Sequence, residues 1–396
     1  MTRIFLWIIF ALICEVGFAG NTGTVTDGQI IMSLQSDADT LAFVDYVKKN
    51  GQNPKSFMLD KLANHKLVIY GESHKRKASW DLMKSIIKDP SFSKKTGIVF
   101  LEMPSDCQVK MDSFFANKTM DKEILLDILR SVQIEGWDDR GMYEFVIDLW
   151  SLDKGLAENE KIKVVLVDIP RPYYSLKTKE EFDNYFNKLP DRNQQIADVI
   201  EESMISCKDK RSGLFIVGFG HTLKSVVEIA GRPYVSAGVQ LKKRFSDQGV
   251  YIAFAHTAIE DNVGNLGGLI CNGIFDYAFK QNGNNPTAFN LASSPFGKKR
   301  FDAVMGLDSL EGIGNYENYF DGYIFLMPLK DEGPKYLLSE LITEDFIQEL
   351  RRRASIFGND NWRVYGVKAI NITMEDVQAY YQKTAQSKYW GKLNVN

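Results

Sequence analysis

The sequence predicts an α/β fold: a three-layer architecture with a largely parallel sheet flanked by helices, followed by a helical C-terminal extension. Three observations predict it. Short unbroken apolar runs recur along the chain, each ends on a polar or glycine-rich step, and the segments between them carry apolar residues at helical spacing. Continuous apolarity suits strands covered on both faces, the condition of parallel strands in α/β proteins. Strand, helix, strand alternation then implies right-handed crossovers with helices on both faces.

In chain order, Met1 to Ala19 reads as an export signal, with Arg3 as the positive end, Ile4 to Ile13 as the apolar run and Gly17-Phe18-Ala19 before the cut. A competing reading makes Cys14 a lipid-anchored first residue, which the bulky Ile13 disfavours. A bilayer span takes about 20 apolar residues, and no later segment approaches that without charges or turn residues. The mature chain is therefore expected to lack a transmembrane segment and to be exported, periplasmic or secreted. A lead-in over 20–59 precedes an α/β domain at 60–330, and 331–396 forms the helical extension.

The first run, Leu67 to Tyr70, leads into Gly71-Glu72-Ser73-His74, and Trp80, Met83, Ile86 and Ile87 then recur at helix spacing. Ile98 to Leu101 ends at Glu102; two helical patterns follow, Ile124 to Leu129 and Tyr143 to Trp150. Val164 to Val167 ends at Asp168, Leu214 to Val217 at Gly218-Phe219-Gly220-His221, and Val250 to Ala255 at His256. Phe301 to Val304 and Tyr323 to Met327 read as further strands, and the glycine- and asparagine-rich stretch Asn262 to Asn285 as a long loop region. From Tyr336 the pattern is helical through Leu337, Leu338, Leu341 and Ile342, then Phe346 and Leu350, with Arg351-Arg352-Arg353 as a solvated helix face.

With 48 Lys+Arg against 51 Asp+Glu, a net charge of -3 gives no electrostatic reason to bind nucleic acid. At 44% hydrophobic and 25% charged residues the chain falls outside the disordered and disulfide-dense classes. Cys107, Cys207 and Cys271 form no CxxC pair and allow at most one bridge, so neither a disulfide framework nor a cysteine zinc site is encoded.

Function shows in where the polar residues fall. Glu72, His74, Glu102, Asp168, His221 and His256 all lie at or just past the carboxyl end of a predicted strand. Those ends share one edge of a parallel sheet, where ligands bind. Three of the chain's 4 histidines occupy it, and His65 lies at the opposite end as an ordinary surface residue. Imidazole titrates near working pH and a neighbouring carboxylate holds its ring and tautomer, so the group suits acid–base chemistry. Gly71 fits a turn where the backbone bends sharply or approaches a ligand. There is no GxSxG elbow, HExxH helix, P-loop or complete GxGxxG.

In ordered pieces the chain resembles the erythromycin esterase and ChaN-like superfamily, which includes macrolide esterases and haem-binding outer-membrane lipoproteins. The pieces are Gly71 to His74, Val99 to Glu102, Val165 to Asp168, Arg192 to Ala197 and Gly218 to His221, within residues 60 to 330. Asn193 stands where the family pattern has an aspartate. The resemblance implies a metal-free hydrolysis in which His74 is general base on a water, Glu72 orients it, and Glu102 and His221 complete the pocket. Arg76, Asp168, Arg192 and His256 are the substrate-binding candidates; Lys75 reads as a solvent-facing residue of the first helical turn.

The leading expectation is thus an exported hydrolase of esterase type acting on a small-molecule ester or lactone, without cofactor. One alternative is a binding protein for haem or a similar planar ligand, as in the ChaN-like branch. The other is a metal-dependent hydrolase with His74, His221, Glu72 and Glu102 as ligands of a divalent ion.

Overall fold

The structure is a computed structural model, and it describes residues 38–386 apart from 208–209, 230, 247–248, 261–265, 305–311 and 360. The export signal at Met1 to Ala19 and the alternative anchor at Cys14 lie outside the described residues. No helix among the described residues is long and apolar enough to cross a membrane.

The strands are β1 (Leu67–Glu72), β2 (Thr96–Pro104), β3 (Lys163–Asp168), β4 (Ser212–Gly218), β5 (Val227–Ile229), β6 (Arg232–Tyr234), β7 (Val250–Ala255), β8 (Ala258–Glu260), β9 (Leu266–Leu269), β10 (Thr287–Asn290), β11 (Gly322–Phe325), β12 (Arg363–Val364) and β13 (Val367–Lys368). Seven form one sheet in the order β10-β11-β7-β1-β4-β2-β3, with every neighbour parallel except β10 beside β11. The five strands expected from apolar runs are consecutive in it, from β7 to the edge strand β3. Each is buried because helices cover both faces, which is why the runs read as continuous rather than alternating.

Alternate residues of each strand feed two cores. Val68, Tyr70, Val99, Leu101, Leu214 and Ile216 meet helices Pro54–Asn64, Lys77–Ile87, Lys122–Val132 and Arg140–Gly155. Leu67, Ile69, Phe100, Phe215 and Val217 meet helices Ala38–Asn50, Arg192–Ser206, Ala237–Phe245 and Ile274–Gln281. This is the three-layer α/β architecture, with helices again at the C-terminus. Leu338, Leu341, Phe346, Ile347 and Leu350 share the core of Val68 and Leu101, so the extension packs onto the sheet's helical layer.

The structure corrects several local readings. Asn262 to Asn285 is no continuous loop: helix Ile274–Gln281 buries Phe275, Ala278 and Phe279. Its glycines and asparagines punctuate rather than fill, with left-handed Asn272 and Gly273 before the helix and Gly283 and Asn284 after it. Phe301 to Val304 is not a strand; Phe301 and Ala303 are apolar because they fill the core, and Val304 makes only an isolated bridge to Glu260. The strand β10 carried no signal, being a four-residue antiparallel edge. Leu337 to Ile342 is extended with one short turn at Ser339–Leu341; the helix begins at Glu344, after Thr343 accepts the Phe346 N–H at 3.2 Å. Arg353 is buried rather than solvated, bonded to Glu349 Oε1 at 2.8 Å and the Arg130 carbonyl at 2.7 Å and stacked over Tyr173. Among the described residues, Cys107, Cys207 and Cys271 are free.

Candidate functional site

The register of β1 on β4 sets Glu72 level with Gly218, so the two strands release their chains together at one edge. Past β1, His74 Nδ1 lies 2.5 Å from Glu72 Oε1. Glu72 is buried, and its Oε2 has no hydrogen-bond partner among the described residues. The His74 ring meets Trp137 edge to face at 4.7 Å. Its Cε1–Nε2 edge faces Gly218, where an added Cβ would stand 2.8 Å from both atoms and 3.6 Å from Glu102 Oε2. His74 and Glu102 therefore converge around one glycine.

Glu102, at the end of β2, is fully engaged. Oε2 accepts the Gly218 N–H at 2.9 Å and Oε1 accepts Arg192 Nη2 at 2.5 Å. Arg192 opens the helix Arg192–Ser206, whose first turn is capped by Asp191 through the Gln194 N–H at 3.0 Å. From that position it also forks onto Asp168 at 2.7 Å through both Nε and Nη2. Arg171 gives Asp168 a further bond at 2.8 Å. Next to Arg192 on the helix, Asn193 Oδ1 lies 2.7 Å from His221 Nδ1, and His221 Nε2 lies 3.5 Å from Glu102 Oε1. Glu72, His74, Glu102, Asp168, Arg192 and His221 thus form one connected cluster.

The other two candidates sit beside it. Arg76 is buried, donates to Glu332 Oε2 at 2.9 Å from Nε and 2.6 Å from Nη2, and holds the His256 carbonyl at 2.5 Å. The His256 ring lies between the Tyr323 hydroxyl at 2.6 Å and Asp276 at 3.2 Å, packed against Phe279 and Phe325. Lys75 departs from the solvent-facing reading: the helix starts at Lys77, and Lys75 has φ +65 with its N–H on Asp139 and its ammonium on Asp138 at 2.5 Å. Gly71 is not at a turn. It lies inside β1, and a Cβ there would press Thr222 Oγ1 at 2.9 Å and Phe219 Cα at 3.2 Å, so close approach of the β4 exit demands it.

Charge in the cluster is sorted by neighbours. Burial works against a charged His74, but Glu72, helped by Glu102 and Asp139, outweighs it and pushes the pKa up to about 9. His221 goes the other way: burial and the Arg192 guanidinium bring it down to about 4 against the pull of Glu102 and Asp168. Burial opposes ionisation of Glu102 and Asp168, yet Arg192 in both cases and Arg171 for Asp168 hold them below the usual carboxylate range. Burial and the Glu72 charge push Asp139 up to about 6, despite N–H donors from Met142, Trp80 and Lys75.

A divalent ion does not fit these residues. Both oxygens of Glu102 are bonded, the Arg192 guanidinium already supplies the cation between Glu102 and Asp168, and no group of three or more His, Cys, Asp or Glu among the described residues is arranged to hold a metal. A shallow apolar groove lined by Pro54, Leu82, Pro286 and Met327 shares no residue with the cluster.

Sequence reasoning missed Trp137, Asp139 and Tyr234. Tyr234, at the end of the hairpin of β5 and β6, donates to the Gly220 carbonyl at 3.0 Å. None carries a local signal, since each reaches the cluster only through tertiary contact. Asn193 was visible as the departure from the aspartate of the family pattern; its partnership with His221 was not.

The fold and the cluster define an α/β protein with histidines, carboxylates and an arginine gathered at the carboxyl edge of its parallel sheet, the edge at which such folds bind ligands. No family model and no curated protein matches the chain. Among solved structures, it is similar to a succinoglycan biosynthesis protein at 11% identity, covering 73% of this chain and 97% of that one, with a TM-score of 0.52. It is also similar to an erythromycin esterase in its open conformation, at 10% identity over 68% and 92% of the two chains with a TM-score of 0.45. ChaN of Campylobacter jejuni with cofacially bound haem matches at 16% identity over 51% and 86%, with a TM-score of 0.34. At these identities the likeness is one of fold.

Proposed function

We propose that the protein is an exported hydrolase of esterase type that cleaves an ester or lactone with a histidine-activated water. The observation that carries this reading is the contact of Glu72 with His74 Nδ1 at 2.5 Å while the opposite edge of the ring is turned to Gly218 and Glu102. A carboxylate on one imidazole nitrogen holds ring and tautomer for proton transfer at the other. The two imidazoles are pushed to opposite charge states, which is how acid and base are separated within one site. At neutral pH His74 has a proton to give and His221 is uncharged; above pH about 9 His74 itself takes protons. The paired Arg192 and Arg171 balance Glu102 and Asp168, so the site does not repel a developing oxyanion.

The test is hydrolysis of 4-nitrophenyl acetate, phenyl acetate and a macrocyclic lactone by the purified full chain. Turnover is expected to survive EDTA and to fall about 100-fold or more in His74→Ala, with a smaller loss in Glu72→Gln. An unchanged rate in His74→Ala overturns the reading. So does the absence of ester cleavage together with a Soret band when haem is added.

A further inference from the structure

The Tyr234 hydroxyl ties down the orientation of groups around His221. The Gly220 carbonyl can only accept, so the hydroxyl 3.0 Å away donates to it. With its proton committed, the Tyr234 oxygen can only accept, and a hydrogen bond from the Asn193 side chain works against the burial that raises the tyrosine's pKa. The carboxamide must turn its NH2 to the tyrosine and its oxygen to the histidine. That oxygen lies 2.7 Å from His221 Nδ1, and a carbonyl oxygen there requires an N–H. Backbone carbonyl, hydroxyl, amide and imidazole form one directed chain with a single consistent assignment.

We infer that Tyr234 and Asn193 are positioning residues that hold His221 as the neutral tautomer protonated on Nδ1, leaving Nε2 an open acceptor and making His221 the base ready at neutral pH. The catalytic part of this inference rests on the hydrolase reading; the tautomer does not. The carboxamide carries no charge, so unlike a carboxylate it does not favour the imidazolium. The groups that act on His221 are Glu102 from β2, Asp168 from β3, Arg192 and Asn193 from helix Arg192–Ser206 and His74 after β1, with Tyr234 from β6 beside Asn193. Arg192 and burial outweigh the two carboxylates there and keep the ring uncharged.

Nε2 and Glu102 Oε1, 3.5 Å apart, are then two facing acceptors, an arrangement that favours a ligand bringing its own hydrogen. Water is such a ligand. As its oxygen attacks the ester carbonyl carbon, one proton passes to His221 Nε2; His74 protonates the departing alkoxide, and transfer from His221 to His74 restores both. Acid and alcohol leave, with one water consumed.

The tautomer is read directly by NMR of the full chain labelled with 15N-histidine, with His221→Gln identifying the His221 signals. At about pH 7 the ring is expected to be neutral with its proton on Nδ1. In Tyr234→Phe the amide is released, and the Nδ1-protonated form loses population to the Nε2-protonated one. In Asn193→Asp the His221 pKa rises by about one to three pH units, and the acid limb of the ester-hydrolysis profile moves up with it. A wild-type His221 protonated on Nε2, or charged at neutral pH, overturns the inference. Retention of the Nδ1 form in a folded Tyr234→Phe removes Tyr234 from it. A protein with the expected tautomer and no esterase activity instead overturns the hydrolase reading, so the two failures are distinguishable.

Discussion

Replacing Gly218 by alanine separates catalysis from stability at a single methyl group. The residue has φ -54 and ψ 133, which alanine adopts freely, and stiffening of the unfolded chain favours alanine by about 0.4–1 kcal/mol. The methyl carbon, however, would stand 2.8 Å from His74 Cε1 and Nε2, where carbon contacts settle near about 3.5 Å. Backbone and sheet hold Gly218, whose N–H is bonded to Glu102 and whose strand is paired on both sides. The half-exposed His74 ring must therefore give way by roughly 0.7 Å, the shortfall in that contact. Displacements of this size cost about 10- to 100-fold in rate, or about 1.4–2.8 kcal/mol in the barrier. Expected in Gly218→Ala are a kcat/KM for 4-nitrophenyl acetate lowered by that factor and a melting temperature unchanged or slightly higher. Activity within twofold of wild type in a folded Gly218→Ala would refute the placement of His74 against this glycine.

Other perturbations read the same network. His74 gains a partner on folding, so its contribution to stability is complete below pH about 6.5 and lost as pH rises through about 9; thermal unfolding should show that alkaline decline, flattened in His74→Ala. His221 is depressed, so its neutral form supports the fold above pH about 6.5 and destabilises it as pH falls toward about 4, a slope that His221→Asn should reduce. Arg192→Gln strips buried Glu102 and Asp168 of their shared cation, with an expected cost of about 3–5 kcal/mol by urea unfolding. Arg353→Ala takes the guanidinium from the Arg130 and Ile134 carbonyls, while Glu349 keeps Arg352, and is expected to cost about 2–3 kcal/mol, whereas Arg363→Ala on the exposed surface stays within about 0.5 kcal/mol.

Much of the fold was legible because its signal is local. A strand covered on both faces must be apolar throughout, and that requirement writes Leu67 to Tyr70 or Leu214 to Val217 without reference to any partner. The polar residue closing each run marks where the chain leaves the sheet, so Glu72, Glu102, Asp168 and His221 were readable as edge residues one at a time. Where local composition and tertiary need diverged, reading failed. Glycine and asparagine around Ile274–Gln281 masked a helix of ordinary amphipathic spacing, and Arg353 looked solvated because an arginine triplet in sequence says nothing of the carbonyls waiting for one of its members.

The sequence alone determined which side chains reach the carboxyl edge of the sheet, since strand length and polarity are properties of short segments. Only the tertiary structure decided who meets whom: the parallel register that levels Glu72 with Gly218, the Arg192 fork between two carboxylates, and the hairpin that carries Tyr234 to Asn193. Charge states followed from the same source. A histidine's proton depends on the burial and charges around it, and those reach His221 from Glu102, Asp168 and Arg192 on three other elements, joined by packing that no local pattern encodes.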